Sequence, residues 1–259
     1  MPMDNYSTSA TGVLWSICYQ YTTYLYHGFD FCIFRIYHLF IFMSAQEVRN
    51  KKFQFNSSEQ KIFFTSDTHF GHANIIRFCN RPYRDVNHMN QELINNWNSV
   101  VAANDIVFHL GDFAFAGSEV FENVIKQLNG RIYWILGNHD YKNFRPHYQQ
   151  YFEHIAPKMV ISVDGQPIIL NHEPLLCFGG QLNNRYWQLF GHVHTSHQEY
   201  SKQGCDIERM IQMSTPTMYD VGVDYNNYVP ISFEQLKERI NEQILRKESY
   251  LYWWNNMQK

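Results

Sequence analysis

The chain has 259 residues, of which 45% are apolar, and this length allows one domain with a sizeable buried core. Its 21 Lys and Arg residues against 24 Asp and Glu exclude the basic excess that grips long nucleic acid through its phosphates. Its five cysteines, an odd number without a CxxC pair, argue against a disulfide framework or zinc knuckle and favour a reducing cytoplasm.

The first 42 residues differ from the rest of the chain, because they are crowded with Tyr, Phe, Ile and Cys and carry few charges. Their Asp, Glu, Lys and Arg residues are Asp4, Asp30 and Arg35. The apolar run from Phe29 to Met43 is shorter than the roughly 20 residues of a membrane-spanning helix. It also lacks the basic segment and the cleavage site of a secretory signal.

Two interpretations of this segment stay open, a membrane anchor or an over-extended gene start with translation from Met43, and we favour the second. We therefore divide the chain into an atypical extension at 1–42, a leader at 43–60 and a domain at 61–259. We expect a cytoplasmic protein without membrane association.

From Lys61 onward, predicted strands and helices alternate, which is typical of an α/β domain. The predicted strands cover 61–65, 105–110, 131–136, 160–163, 168–170 and 187–190. The predicted helices are one beginning near Asn74, one over 89–101, one capped by Ser118 with Gly130 just past its end, and one after a Ser232/Gln235 capping box. The Asp164-Gly165 turn predicts a hairpin of the fourth and fifth strands.

Short motifs rich in His, Asp and Asn follow the predicted strands. In chain order they are Asp67-Thr68-His69, Gly111-Asp112, Gly137-Asn138-His139-Asp140, Asn171-His172 and Gly191-His192-Val193-His194. Together they offer enough nitrogen and oxygen ligands for two metal ions. A donor set without thiolate suits divalent Mn, Fe, Ni, Zn or Mg, of which we expect Mn. Two ions roughly 3.5–4 Å apart can hold a bridging hydroxide and clamp phosphate oxygens, so the motifs predict phosphoester hydrolysis.

These five motifs, in this order, resemble the calcineurin-like metallophosphoesterase superfamily, and in particular its small bacterial and phage phosphoesterases. The resemblance covers roughly residues 61–236. It implies an α/β fold in which two mixed β-sheets pack face to face as a sandwich flanked by helices.

The resemblance also implies the metal ligands and their division between the ions. One ion is expected on Asp67, His69, Asp112 and His194, and the other on Asp112, Asn138, His172 and His192. Asp112 would then bridge the two ions. His139 is expected to be catalytic, by stabilising the phosphate or protonating the leaving oxygen.

One position departs from the family pattern. Many members carry an acid three residues after the bridging Asp, where it orients the catalytic His, and here that residue is Phe115. Charge stabilisation is therefore the expected role of His139, with Asp140 or a substrate group as a substitute for the missing acid.

Two residues close to the first motif are the predicted substrate contacts, His72 and Arg77. Arg suits phosphate through its planar donor fork. Arg81 and Arg84 lie near them in sequence, but surface arginines are common. His109, within an apolar strand, is interpreted as a hydrogen-bonded core residue and not as a ligand.

The predicted function is hydrolysis of a small nucleotide-like phosphoester, as a phosphodiesterase or phosphatase. One alternative is a nuclease acting on single-stranded nucleic acid, which the balanced charge makes less attractive. Another is a non-catalytic protein-binding scaffold, which the complete set of ligand types makes less attractive. We expect no stable nucleic-acid complex, and a homo-oligomer stays open.

Overall fold

A computed structural model of the chain describes residues 53–181, 183–194 and 215–257, with side chains given as far as residue 246. The chain divides into two units, 1–51 and 52–259, and the described residues lie in the second. The extension predicted at 1–42 lies outside the described residues. No helix among the described residues is long and apolar enough to cross a membrane.

Two mixed five-stranded sheets make up the framework, as expected from the sequence. The first contains, in spatial order, β1 (Phe53–Phe55), β6 (Lys158–Val163), β7 (Gln166–Asn171), β8 (Trp187–Phe190) and β9 (Met218–Asp220). The second contains β10 (Ile231–Ser232), β2 (Ile62–Thr65), β3 (Ile106–His109), β4 (Arg131–Ile135) and β5 (His154–Ala156). Strand β1 lies within the segment 43–60 interpreted as a leader, and it pairs in parallel with β6.

Along the chain, α-helices lie between these strands and after the last one. They are α1 (Ala73–Phe78), α2 (Val86–Val100), α3 (Ser118–Ile125), α4 (Asp140–Asn143) and α5 (Phe233–Met257), with a 3₁₀ helix at Pro146–Tyr151. The capping box before α5 is confirmed, because Gln235 N–H donates to Ser232 Oγ and Ser232 N–H donates to Gln235 Oε1. The cap predicted for α3 is wrong, because Gly117 is its N-cap and Ser118 is already helical.

Alternating side chains of the second sheet fill two separate cores. Phe64 and Phe108 face the first sheet and pack among its inward residues, which gives the sandwich its core. Phe63 and Val107 point the other way and pack against α2 and α3. Successive side chains of each strand point to opposite faces of the second sheet. One face therefore packs against the first sheet and the other against the helices.

Parallel pairing brings the predicted motifs to one edge of each sheet. Strands β2, β3 and β4 are parallel neighbours, so the loops after their carboxyl ends lie side by side. Strands β7, β8 and β9 are parallel in the same way. An isolated bridge between Ser66 and Gly222 joins the two sets of loops. The hairpin of β6 and β7 turns at Asp164-Gly165, as predicted.

Candidate metal centre

The backbone of the motifs adopts a conformation that side-chain-bearing residues rarely accept. Five of the seven predicted ligands have positive φ: Asp67 (57°), His69 (50°), Asp112 (53°), His192 (71°) and His194 (48°). Each such residue costs on the order of 1–3 kcal/mol and persists only where its surroundings fix it. Strain of this kind clusters at functional sites, and five of the ten non-glycine residues with positive φ among the described residues are predicted ligands.

Hydrogen bonds between the loops hold this strained backbone. Asp67 N–H donates to Gly111 O, and His69 N–H donates to Asp112 O, each over 3.0 Å. Two glycines allow the loops to approach closely, because a Cβ on Gly137 would collide with the Asp112 carboxylate and one on Gly191 with the Asp67 carboxylate.

The carboxylate of Asp140 joins the second and third motifs. It accepts backbone N–H groups of Asp112 at 2.7 Å, Gly137 at 2.8 Å and Phe113 at 3.0 Å. Burial raises its pKa to about 7, against the opposing effect of these donors. Among the described residues no hydrogen bond joins this carboxylate to the His139 ring, so Asp140 does not replace the missing acid, and a role for a substrate group stays a prediction.

The first group of ligands surrounds Asp67. His194 Nε2 lies 3.8 Å and His69 Nε2 3.9 Å from Asp67 Oδ1, and His69 Nε2 lies 3.6 Å from Asp112 Oδ2. The rings of His69 and His194 are 5.1 Å apart between centroids. These atoms face one small space, as ligands of a single ion must.

The second group lies on the other side of Asp112. His172 Nε2 is 3.5 Å from Asp112 Oδ2 and 3.0 Å from Asn138 Oδ1, and His192 Nδ1 is 3.1 Å from the same amide oxygen. His172 Nδ1 lies 2.7 Å from Leu110 O, so it donates there and leaves Nε2 free to bind a metal. The structure thus brings all seven predicted ligands together.

Unsatisfied atoms show that this donor set fits a metal. Among the described residues, the buried atoms Asp67 Oδ1 and His69 Nε2 have no hydrogen-bond partner, although both face the first group. A buried polar atom left unpaired costs about 1–3 kcal/mol. Coordination to a divalent cation would remove that cost for both atoms, and carboxylate and imidazole are suitable ligands.

A buried ion pair that the sequence patterns did not single out supports the first group. Arg81 forms two 2.8 Å hydrogen bonds with the Asp224 carboxylate, whose Oδ2 lies 2.8 Å from His194 Nδ1. Arg81 also donates to the backbone oxygens of Asp67 (2.7 Å) and Thr68 (3.0 Å). Arg81 is therefore a buried structural cation and not a surface arginine.

This ion pair fixes which nitrogen of His194 faces the site. Burial opposes ionisation of Asp224, but Arg81 and His194 outweigh it and hold the pKa of Asp224 at about 2. Burial likewise opposes protonation of His194, but the bond to Asp224 raises its pKa well above the usual value. A carboxylate on Nδ1 orients the ring so that Nε2 points at Asp67, as in other metal-binding histidines.

Of the three further predicted residues, His139 and His72 border the two groups, and Arg77 lies at the surface. His139 donates its backbone N–H to Asp112 Oδ1 over 3.0 Å, and its half-exposed ring has Nε2 3.9 Å from Asp112 Oδ2. His72 Nδ1 lies 3.4 Å from His69 Nδ1, whereas the exposed guanidinium of Arg77 lies over the ring of Phe78. Substrate contact by His72 and Arg77 stays a prediction.

The interpretation of His109 as a core residue is confirmed. Its ring is fully buried, and its Nε2 lies 2.9 Å from Thr68 Oγ1. Burial lowers its pKa to about 3, so the ring is neutral.

A larger open cavity, of about 650 Å³, is lined by α5 and the segment before it, and none of the predicted ligands is among the residues that line it. A smaller one, of about 290 Å³, opens beside Asn138 and His172 and is bordered by Tyr141 and Glu173. We assign the chemistry to the loops and their side chains and not to the larger cavity.

Comparison with known proteins agrees with this geometry. The family described as calcineurin-like phosphoesterase matches residues 60–242. The chain belongs to this family. It is therefore a metal-dependent phosphoesterase with the predicted sandwich architecture, and the resemblance drawn from the motifs is confirmed.

Relatives of this phosphoesterase occur in archaea and in phages. An uncharacterized protein of Methanocaldococcus jannaschii is 35% identical over 189 residues, which cover 71% of this chain and 94% of the relative. The Gene 66 protein of Mycobacterium phage D29 is 25% identical over 213 residues, covering 70% and 96%. A solved structure of a protein of unknown function from Aquifex aeolicus aligns with a TM-score of 0.52 and 24% identity, covering 69% and 98%, and supports the fold alone.

The Asp224 carboxylate gives a testable prediction. Asp224→Asn keeps the shape of the side chain but removes the charge that orients His194, so we expect the affinity for Mn²⁺ to fall about 10- to 100-fold. Calorimetric titration of the metal-free protein measures this affinity. Glu119→Gln, an exposed change on α3, serves as the control, and urea unfolding verifies that Asp224→Asn is folded. An unchanged affinity in the folded variant would show that Asp224 does not act through His194.

Proposed function

We propose that this phosphoesterase holds two divalent ions, Mn being the expected metal, and cleaves a small nucleotide-like phosphoester. One observation supports this most directly: Asp112 Oδ2 lies 3.6 Å from His69 Nε2 and 3.5 Å from His172 Nε2, between the two groups of ligands. A carboxylate in that position suits a bridging role. On this proposal, Asp67, His69 and His194 complete one site, and Asn138, His172 and His192 complete the other.

The ions supply charge and activated water. When bound, two neighbouring divalent ions lower the pKa of water and neutralise the charge of phosphate oxygens during in-line displacement. Asn138 contributes a neutral oxygen, so the seven residues carry only the two negative charges of Asp67 and Asp112. Such a site stays net positive with metal bound and favours an anionic substrate.

His139 is the residue of this chain expected to act on the phosphate itself. Its ring is about two-fifths exposed, whereas its backbone N–H is fixed to Asp112 Oδ1. The residue can therefore direct its imidazole to a phosphate oxygen at the open side of the centre. Because Phe115 gives this imidazole an aromatic neighbour and not a carboxylate, stabilisation of phosphate charge is the proposed role.

The scaffold alternative is less well supported, because all seven ligand types are present and face one another. The protein is proposed to act in the cytoplasm on a small substrate, without a stable complex with long nucleic acid. The choice between monoester and diester is left to the experiment below.

Metal dependence and ester preference test this proposal together. The protein is stripped of metal, resupplied with Mn²⁺, Ni²⁺, Zn²⁺ or Mg²⁺, and assayed with p-nitrophenyl phosphate and bis-p-nitrophenyl phosphate. We expect turnover to disappear with the metal and to return in proportion to bound ions, up to two per chain. The preferred ester then separates phosphatase from phosphodiesterase. Failure of both esters and of a panel of natural nucleotides, with two ions bound, would favour the scaffold.

Replacement of His139 separates its role from metal binding. We expect His139→Ala to lower kcat about 100-fold, because a group that stabilises transition-state charge is lost, while the two bound ions remain. Metal analysis and steady-state kinetics measure these two quantities. His147→Ala, which removes an exposed histidine paired with Glu122, should leave both unchanged. An unchanged kcat in His139→Ala would exclude this residue from the reaction.

A further inference from the structure

Aromatic side chains form an exposed surface beside the metal centre. Phe115 and Phe78 are 43% and 60% exposed, and the ring of His72 lies between them. Ring centroids are 4.6 Å apart for His72 and Phe115 and 6.3 Å apart for His72 and Phe78. We call these three residues the aromatic wall.

The aromatic wall is continuous with the residues proposed to handle the phosphate. The Phe115 ring lies 5.3 Å from the His139 ring, and the His72 ring lies 5.4 Å from that of the ligand His69. Among the described side chains, the exposed Phe, Tyr and Trp residues are Phe78, Phe115 and Tyr141, and Tyr141 lines the small cavity beside Asn138. The exposed aromatic surface is therefore concentrated around the centre.

The exposed phenylalanine rings beside the polar site can bind a ligand that has an apolar face. Removing such rings from water is worth about 25 cal/mol per Å² of area covered, yet here the rings remain open. Phe115 also stands where many family members carry an acid. A phenyl ring at this position can contact the part of the substrate that carries no charge.

We infer that the aromatic wall stacks an unpaired nucleobase of the substrate whose phosphate lies at the metal centre. This inference rests on the proposed function and gives the substrate class as a nucleotide or single-stranded oligonucleotide. Stacking on aromatic faces accepts any base, because every base has a π-face. The exposed Arg77, which lies 5.3 Å from the Phe78 ring centre, adds a positive charge beside the wall for a neighbouring phosphate.

The charge of the chain agrees with a base-directed contact. With a net charge of −3, the protein lacks the basic excess that would hold nucleic acid by its phosphates alone. We therefore expect contacts with the bases to supply much of the affinity beyond the metal centre. A base that is already paired has both faces stacked in a duplex, so the wall favours single strands.

Binding of matched oligonucleotides tests the inference. The probes are a phosphorothioate pentathymidylate and an abasic phosphorothioate chain of the same length, which carry the same number of charges. Fluorescence anisotropy with the Mn²⁺-loaded protein should show at least about tenfold tighter binding of the base-bearing chain. The thymidylate sequence held paired in the stem of a stable hairpin should lose that advantage.

Variants locate the preference on the protein. Phe115→Leu and Phe78→Leu keep apolar volume but remove the π-face, so each should reduce the ratio of the two affinities, and the double variant should bring it close to one. Leu245→Ala, which removes an exposed apolar side chain of α5, should keep the wild-type ratio.

Three results would overturn the inference: equal affinities for the two chains in the wild type, a ratio that the double variant retains, or duplex binding as tight as single-strand binding. Gel filtration in which the wild type dimerises and Phe78→Leu does not would assign the aromatic wall to self-association and would also overturn the inference.

Turnover of bis-p-nitrophenyl phosphate without base preference would contradict base stacking on the aromatic wall but leave the proposed function intact. Base preference without metal-dependent turnover of any ester would contradict the proposed function. It would also contradict the inference, because the inference places a scissile phosphate at the metal centre.

Discussion

The buried carboxylate of Asp140 holds together the loops on which the metal centre depends. It accepts three backbone N–H groups, from Asp112, from the next residue Phe113 and from Gly137 of the third motif. Those bonds fix Asp112 with positive φ and direct its side chain toward both groups of ligands. The loop hydrogen bonds from Asp67 and His69 to the second motif extend the same constraint to the first. The centre is thus preorganised by backbone contacts, and its ligands need little movement to bind metal.

The strain in this backbone is offset elsewhere in the fold. Five ligand positions with positive φ would together cost several kcal/mol, on the order of 1–3 kcal/mol each. The packed layers on both faces of the second sheet, and the Arg81–Asp224 pair beneath the first motif, supply rigid support for these loops. Metal binding would contribute further stability, because it would satisfy buried atoms that remain unpaired among the described residues.

Several strands and the motifs that follow them could be predicted from the sequence, because that information is local, whereas the sandwich architecture and the division of the ligands came from the family resemblance. Strand β3 leads into Gly111-Asp112, and β8 leads into the Gly191 motif. The apolar pattern predicts each strand, and the motif is found at the position where that strand ends. Asp224 could not be found in this way, because its partner Arg81 lies 143 residues away and the preceding strand β9 has only three residues. The sole local signal was Gly222 two residues before an aspartate. The role of Asp140 was missed for a related reason, since backbone N–H donors leave no pattern in side-chain chemistry.

Anomalous X-ray scattering from crystals grown with Mn²⁺ tests the central claim that two ions share one carboxylate. The account predicts two peaks about 3.5–4 Å apart with Asp112 between them. His69 and His194 should contact one ion, and His172 and His192 the other. A single peak, or two ions that share no carboxylate, would contradict the binuclear centre.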